Sequence, residues 1–437
     1  MGFTGAFTMN ERTALLVTVG MGDKTQLENS LFSPFLKTLL AGKWDKVILL
    51  CSLETEPNAR LLAERHPDVT MQIETLPRKG DEANLDRCFR FFDGVVSRLV
   101  EQEGYRPSHL TADFTRGTKV MSAALALAAA SHGIRQYRYI DGEQRNAQGL
   151  VIGGTEKLLE LCPEHLFRAQ RLSLAYNFLK EGEFSSVHRV IEDDDGPKAP
   201  WLLWAAEFWG AWDRFHYAAA KKCYQRLAGT QKHKRPPGME EFWPSEAQIS
   251  LLDQLSRAEP SELKPELQAD ATRCLAADLY QNTLRRLREG QYEEVLLRLY
   301  RLVELVGQIR LFEHGIDSGH VRKDDPRVQA FVQSLEQPPK LLSGGYYELG
   351  RESVARLLDH LKDPFAPRLM DLAWLGLNVK SRNRSILIHG FKARTAQVTE
   401  AALRKSLAEL RSLLEAESAK NAAWMEAAQF RFLEEKE

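Results

Sequence analysis

Two short stretches of the chain bring together residue types suited to phosphate chemistry. The first is Asp113-Phe-Thr-Arg-Gly-Thr-Lys-Val-Met121, which follows an apolar run and opens an alanine-rich stretch of helical spacing. At a strand-to-helix turn of a parallel sheet, the N–H groups of the first helical turn and the positive end of the helix dipole make an anion site. Thr115 and Thr118 add hydroxyls, Gly117 admits close backbone approach, and Arg116 and Lys119 supply charge. A capped helix start needs only one of the two threonines. The glycine, both hydroxyls and both cations together point to a phosphate cradle. A second turn, Val19-Gly-Met-Gly-Asp23, places Gly20, Met21, Gly22 and Asp23 at the same sheet edge. Gly20 and Gly22 begin like a dinucleotide fingerprint, but Thr25 stands where the third glycine belongs, and a bare pair of glycines is weak evidence.

The second stretch is Ser381-Arg-Asn-Arg-Ser-Ile-Leu-Ile-His-Gly390. On a helix, Arg382 and His389 share one face roughly 10 Å apart along the axis, while Arg384 falls on another face. Histidine titrates near neutrality and moves protons, arginine stabilises charge developing on phosphate oxygens, and Asn383 is a polar group able to hold the geometry. Spacing alone decides little, because an arginine with a histidine five to seven positions later recurs at Arg60/His66 and Arg226/His233, although there the arginine is followed by leucine. A lone helical histidine is by default a core or cap residue. The company of Arg382 and Asn383 sets His389 apart. His314 and His320 lack an adequate set of further metal ligands and are expected in loops.

The elements that must position these residues change class along the chain. Apolar, β-branched runs at 13–19, 46–51, 69–73, 109–113 and 135–140 alternate with helical spacing at 31–41, 58–64, 84–101 and 119–132. That order predicts a parallel α/β sheet with helices on both faces. Strand signals fade after about Leu150 and the remainder reads as helical, the change falling near Cys162. Three helix–turn–helix joints are predicted at Leu179–Phe184, Ala211–Phe215 and Leu287–Tyr292, too irregular in spacing for a repeat array. Linkers are expected at 193–200 and 228–244, the second carrying Lys232, Lys234 and Arg235 as an exposed basic loop.

With 437 residues the chain needs more than one core. A net charge of -1 excludes a general polyanion binder held by overall field, so phosphate recognition must be local. Five cysteines without a CxxC pair give neither a zinc ribbon nor a disulfide framework and suit a reducing compartment. No membrane span or export signal is read, and Ala6 stands where a myristoylation signal requires Ser or Thr. A cytoplasmic protein is expected.

The segment Thr115-Arg-Gly-Thr-Lys119 resembles the Asp-x-Thr-Gly-Gly-Thr-Lys motif of CARF domains, the Rossmann-like sensors associated with CRISPR systems. Thr115, Gly117, Thr118 and Lys119 match, as does the glycine-containing first loop, while Arg116 replaces the first glycine of the pair. The resemblance covers about residues 11–159. It implies that the two loops bind a cyclic oligoadenylate at a two-fold dimer interface, with cyclic tetra-adenylate the favoured ring. The segment from Arg382 to His389 resembles the Arg-Asn-x(n)-His motif of HEPN ribonucleases, and Arg285–Gly307 resembles the opening helices of that domain.

The HEPN resemblance implies a composite site made by two protomers, with Arg382, Asn383 and His389 catalytic. It implies cleavage of single-stranded RNA without a metal or other cofactor. The ribose 2′-hydroxyl attacks the adjacent phosphorus, leaving a 2′,3′-cyclic phosphate and a 5′-hydroxyl, so DNA resists. Together the resemblances imply an α/β plus all-α chain. The expected domains are a Rossmann-like CARF sensor (1–160), a helical connecting domain (161–270) and an all-helical HEPN ribonuclease (271–437). This is the layout of the ancillary ribonucleases of type III CRISPR systems, homodimers switched on by their activator. Some CARF domains also degrade that activator slowly, which the sequence leaves open. A non-catalytic CARF receptor acting through a partner is the alternative, but it leaves the Arg382–His389 segment unexplained. A metal-dependent DNA-cutting effector would need a metal-binding Asp and a Glu-x-Lys on strands, of which the C-terminal half offers few.

Overall fold

The computed structural model describes residues 12–433 apart from 24, 145–154, 193, 195, 229–235, 258–261, 318 and 376–398. The chain divides into two units, Met1–Gln170 and Arg171–Glu437. In the first, β1 (Ala14–Thr18), β2 (Lys46–Cys51), β3 (Met71–Thr75), β4 (Leu110–Asp113), β5 (Gln136–Gly142) and β6 (Glu156–Leu161) form one sheet in the order β3-β2-β1-β4-β5-β6. Strands β1 to β5 run parallel. Helices α1 (Ser33–Leu40), α2 (Glu56–Arg65), α3 (Leu85–Ser97) and α4 (Lys119–Ser131) connect and cover them.

All five residues of β1 are buried, and alternate side chains serve opposite faces, as a two-sided sheet requires. Leu15, Val17, Val47 and Leu49 pack with Phe35 and Leu62. Ala14, Leu16, Ile48 and Leu50 pack with Phe92 and Leu125 on the other side. The strand order runs outward from β1 in one direction through β2 and in the other through β4. The loops after β1 and β4 therefore meet at the topological switch point, where open α/β sheets bind ligands.

Strand β6 corrects the expectation that strands end near Leu150. Its sequence, Glu-Lys-Leu-Leu-Glu-Leu, has no β-branched or aromatic residue and reads as helix former. Antiparallel pairing with β5 decides its conformation, with Arg138 directly opposite Glu160 and bonded to it at 2.9 Å.

Beyond α5 (Glu164–Glu181), which contains the division, the described elements are mainly helical. They are α6 (Phe184–Ile191), α7 (Ala199–Asp213), α8 (Tyr217–Ala228), α9 (Glu246–Leu255), α10 (Pro265–Arg288) and α11 (Tyr292–Glu313). Then follow α12 (Pro326–Gln333), α13 (Arg351–His360), α14 (Ala366–Met370), α15 (Glu400–Glu417) and α16 (Ala419–Ala427). A two-stranded antiparallel pair, β7 (Val321–Arg322) and β8 (Tyr346–Tyr347), interrupts the continuous helix expected from Ala271 onward. These strands are two residues long, too short to leave a periodic signal.

The three predicted joints share one C-terminal cap. At each, a pair of backbone bonds closes the helix: Gly182 N–H to Leu179 O and Glu183 N–H to Phe178 O, Phe215 to Trp212 and His216 to Ala211, Gly290 to Leu287 and Gln291 to Arg286. The left-handed position is Gly182 (φ 85°), Phe215 (φ 61°) and Gly290 (φ 71°). Two cores fill this unit. Trp204, Phe208, Trp209 and Trp212 of α7 pack with Phe430 and Phe432, while α10, α11, α13 and α15 enclose a leucine-rich interior. Arg273 joins α10 to α15 by two bonds to buried Glu417, at 2.9 and 2.7 Å.

Candidate ligand and catalytic sites

The two glycine loops of the first unit touch at the switch point. A Cβ placed on Gly20 would lie 2.9 Å from the Gly117 backbone nitrogen, so a side chain there would force the loops apart. Gly117 itself has φ 89°, and a Cβ there would crowd Thr18 and Met121 at 3.3 Å. The Thr18 hydroxyl donates to the Arg116 carbonyl, tying the end of β1 to the second loop.

The first loop is held from two helices. One side-chain amide, that of Asn58 on the first turn of α2, donates to the Gly20 carbonyl at 2.9 Å and to the Met21 carbonyl at 2.8 Å. Ser30 Oγ accepts from Asp23 N–H at 2.7 Å. Gly22 takes the left-handed conformation (φ 65°). Exposed Asp23 accepts from the Thr25 hydroxyl at 2.7 Å and the Thr25 N–H at 2.8 Å, which hold its carboxyl below its ordinary range.

In the second loop the threonines shape the backbone. Thr118 is the N-cap of α4, accepting from Met121 N–H at 3.1 Å while its own proton goes to the Glu82 carbonyl at 2.7 Å. Thr115 Oγ1 accepts from Ile140 N–H at 2.9 Å, fixing the loop to β5. The Lys119 and Val120 amides open the helix and have no carbonyl of their own helix to reach, as at any helix start. Exposed Lys119 stands beside them.

Arg116 faces the other way. It lines a small cavity under the loops with Val17, Phe35, Thr38, Asp113 and Ile140, and its neighbouring charges are Asp113 and Glu156. Burial lowers its guanidinium from the ordinary value. Asp113, 1% exposed, accepts Thr115 N–H at 2.9 Å on one oxygen while the other makes no hydrogen bond, and Thr38 Oγ1 is likewise buried without one. Burial drives the Asp113 carboxyl upward, against the opposing pull of hydrogen bonding from Thr115 and, more weakly, of the Arg138 cation. The structure thus brings Gly20, Met21, Gly22, Asp23, Thr115, Gly117, Thr118 and Lys119 to one edge and turns the Arg116 side chain inward. Asn58, Ser30 and Glu82, which hold the loops, carry no motif that sequence could have flagged.

Arg382, Asn383 and His389 lie outside the described residues. His314, expected in a loop, caps α11 and sits 2.9 Å from buried Asp363, which also accepts from Arg310 at 3.0 Å. Among the described residues, no helix is long and apolar enough to cross a membrane.

The chain thus carries a Rossmann-like sheet with paired glycine loops at its switch point, followed by a helical unit, and comparison with known proteins finds similarity in both parts. Residues 264–434 match the family model of the Csm6 HEPN domain. The chain is 27% identical over 375 residues to the CRISPR system endoribonuclease Csm6 of Thermus thermophilus, spanning 80% of this chain and 76% of that protein. A structure of Enterococcus italicus Csm6 bound to cyclic hexa-2′-fluoro-hexa-dAMP aligns with a TM-score of 0.47 and 10% identity, over 97% of this chain and 100% of that one. The resemblance to the CARF–HEPN ribonucleases of type III CRISPR systems thus stands on the HEPN match and on similarity to Csm6 along most of the chain.

Proposed function

We propose that this protein is a ribonuclease of type III CRISPR defence whose N-terminal unit senses a cyclic oligoadenylate and whose C-terminal unit cuts single-stranded RNA. The observation that carries the reading is the presence, in one chain, of a Csm6 HEPN match over 264–434 and of two glycine loops in contact at a Rossmann-type switch point. Ring phosphates would lie against the opening amides of α4 and Lys119, with Gly20, Met21, Gly22 and Asp23 forming the facing wall. Arg116, turned inward, would act as a strut.

In the catalytic unit, His389 transfers the proton of the 2′-hydroxyl nucleophile, Arg382 stabilises the phosphate oxygens and Asn383 orients them. The site is composite, built by two protomers of a homodimer, and the ring activates it by favouring the arrangement in which both halves are aligned. A CARF receptor acting through a partner is the second reading, and the HEPN match favours the nuclease over it.

The test is cleavage of a fluorogenic single-stranded RNA in EDTA, with and without cyclic tri-, tetra- and hexa-adenylate, for wild type and His389→Ala. Cleavage with one ring, giving 2′,3′-cyclic phosphate ends and falling at least ~100-fold in the variant, is expected. Binding of a ring without any cleavage would move the assignment to the receptor.

A further inference from the structure

The conformation of the first loop rests on a residue outside both motifs. Asn58 is the third residue of α2 and is half-buried, and its single side-chain amide donates to two consecutive carbonyls, Gly20 at 2.9 Å and Met21 at 2.8 Å. A trans peptide sets its C=O and N–H on opposite sides. Fixing both carbonyls to one donor group therefore turns the next two amides, Met21 N–H and Gly22 N–H, away from α2. Gly22 is left-handed while Met21 keeps a negative φ, an alternation that suits consecutive amides presented together to an anion. The loop's other side packs on Gly117.

From this geometry we infer that Asn58 is a positioning residue for the sensor. It pre-organises the Met21 and Gly22 amides for an oligonucleotide phosphate, and so sets the activator concentration at which the enzyme switches on. The inference rests on the proposed function for the identity of the ligand, but not for the ordering of the loop. An unclamped loop would have to be ordered when the ring binds, so removing the clamp weakens binding without altering the chemistry of RNA cleavage.

Two full-length variants separate this role from a structural one. Asn58→Ala removes the donor. Asn58→Asp keeps size and shape but points carboxylate oxygen at two carbonyls. A carboxylate in the first turn of a helix also favours that helix, so α2 itself gains while the loop loses its clamp. Hydrogen exchange without any ligand reads the loop, and a titration of cyclic tetra-adenylate reads binding and half-activation of RNA cleavage.

Faster exchange at the Asp23 amide, which the ordered loop holds against Ser30 Oγ, is expected in both variants. Half-activation should shift at least about tenfold upward for Asn58→Ala, which loses both bonds, and further for Asn58→Asp, with the plateau rate kept. Unchanged exchange and unchanged half-activation in folded Asn58→Asp would overturn the inference, as would a lost plateau at unchanged affinity. Faster loop exchange in variants of a protein whose wild type binds none of the rings would uphold the positioning role and sink the ligand assignment instead.

Discussion

At the residue scale, the two glycine loops depend on what is absent from two positions. Gly20 sits so close to the Gly117 nitrogen that a methyl group cannot be added without moving backbone. Gly20→Ala should therefore weaken ring binding by at least about tenfold, or roughly 1.4 kcal/mol, with RNA cleavage at saturating ring retained. Isothermal titration alongside the cleavage assay checks this.

Asp113 gives a pH-dependent prediction. Its carboxyl is held above the ordinary 3.8, mainly by burial, so the folded protein binds that proton more tightly than the unfolded chain. The group's contribution is therefore most favourable below about 3.8 and is lost as pH rises through the higher folded value. Asp113→Asn preserves an oxygen for Thr115 N–H and removes the ionisation. Its melting temperature relative to wild type should rise as pH is raised from 4 to 8, which scanning calorimetry at several pH values measures.

At the element scale, the strands of the sheet interior were legible because both faces of each are buried. Leu15, Leu16 and Val17, or Ile48, Leu49 and Leu50, form short continuous apolar runs of the kind a strand buried on both faces requires. Strand β6 was not legible because only pairing with β5 distinguishes it from a helix. The helical joints were legible in part: Gly182 and Gly290 announce a left-handed cap, but Phe215 adopts the same conformation with no such signal. Gly290 is the cleaner test, since a Cβ there meets nothing within 4 Å and only the backbone conformation is penalised. Gly290→Ala should destabilise the helical unit by about 1 kcal/mol, read as a lower denaturation midpoint with the slope unchanged. In the candidate site, Thr115 to Lys119 were visible as a motif. That Thr118 would be bonded to Glu82, or that Asn58 would clamp the first loop, follows from contacts between residues 36 to 38 positions apart, which no local pattern records.

At the scale of the whole molecule, the chain couples a doubly wound α/β unit to a helical unit matching the Csm6 HEPN domain. With a net charge of -1, neither partner is captured by overall field. Recognition is local on this account, at the loop edge for the ring and around Arg382 and His389 for the RNA. On the proposed reading the two sites are coupled through a binding equilibrium, so the ring would change the population of the active arrangement and not merely attach.

The most direct measurement of that coupling is the initial rate of single-stranded RNA cleavage as cyclic tetra-adenylate is titrated, with ring binding followed in the same samples. Activation by the ring predicts a rate near background without ring, rising in parallel with occupancy to a plateau. A cleavage rate that stays the same while the ring saturates its site would contradict it.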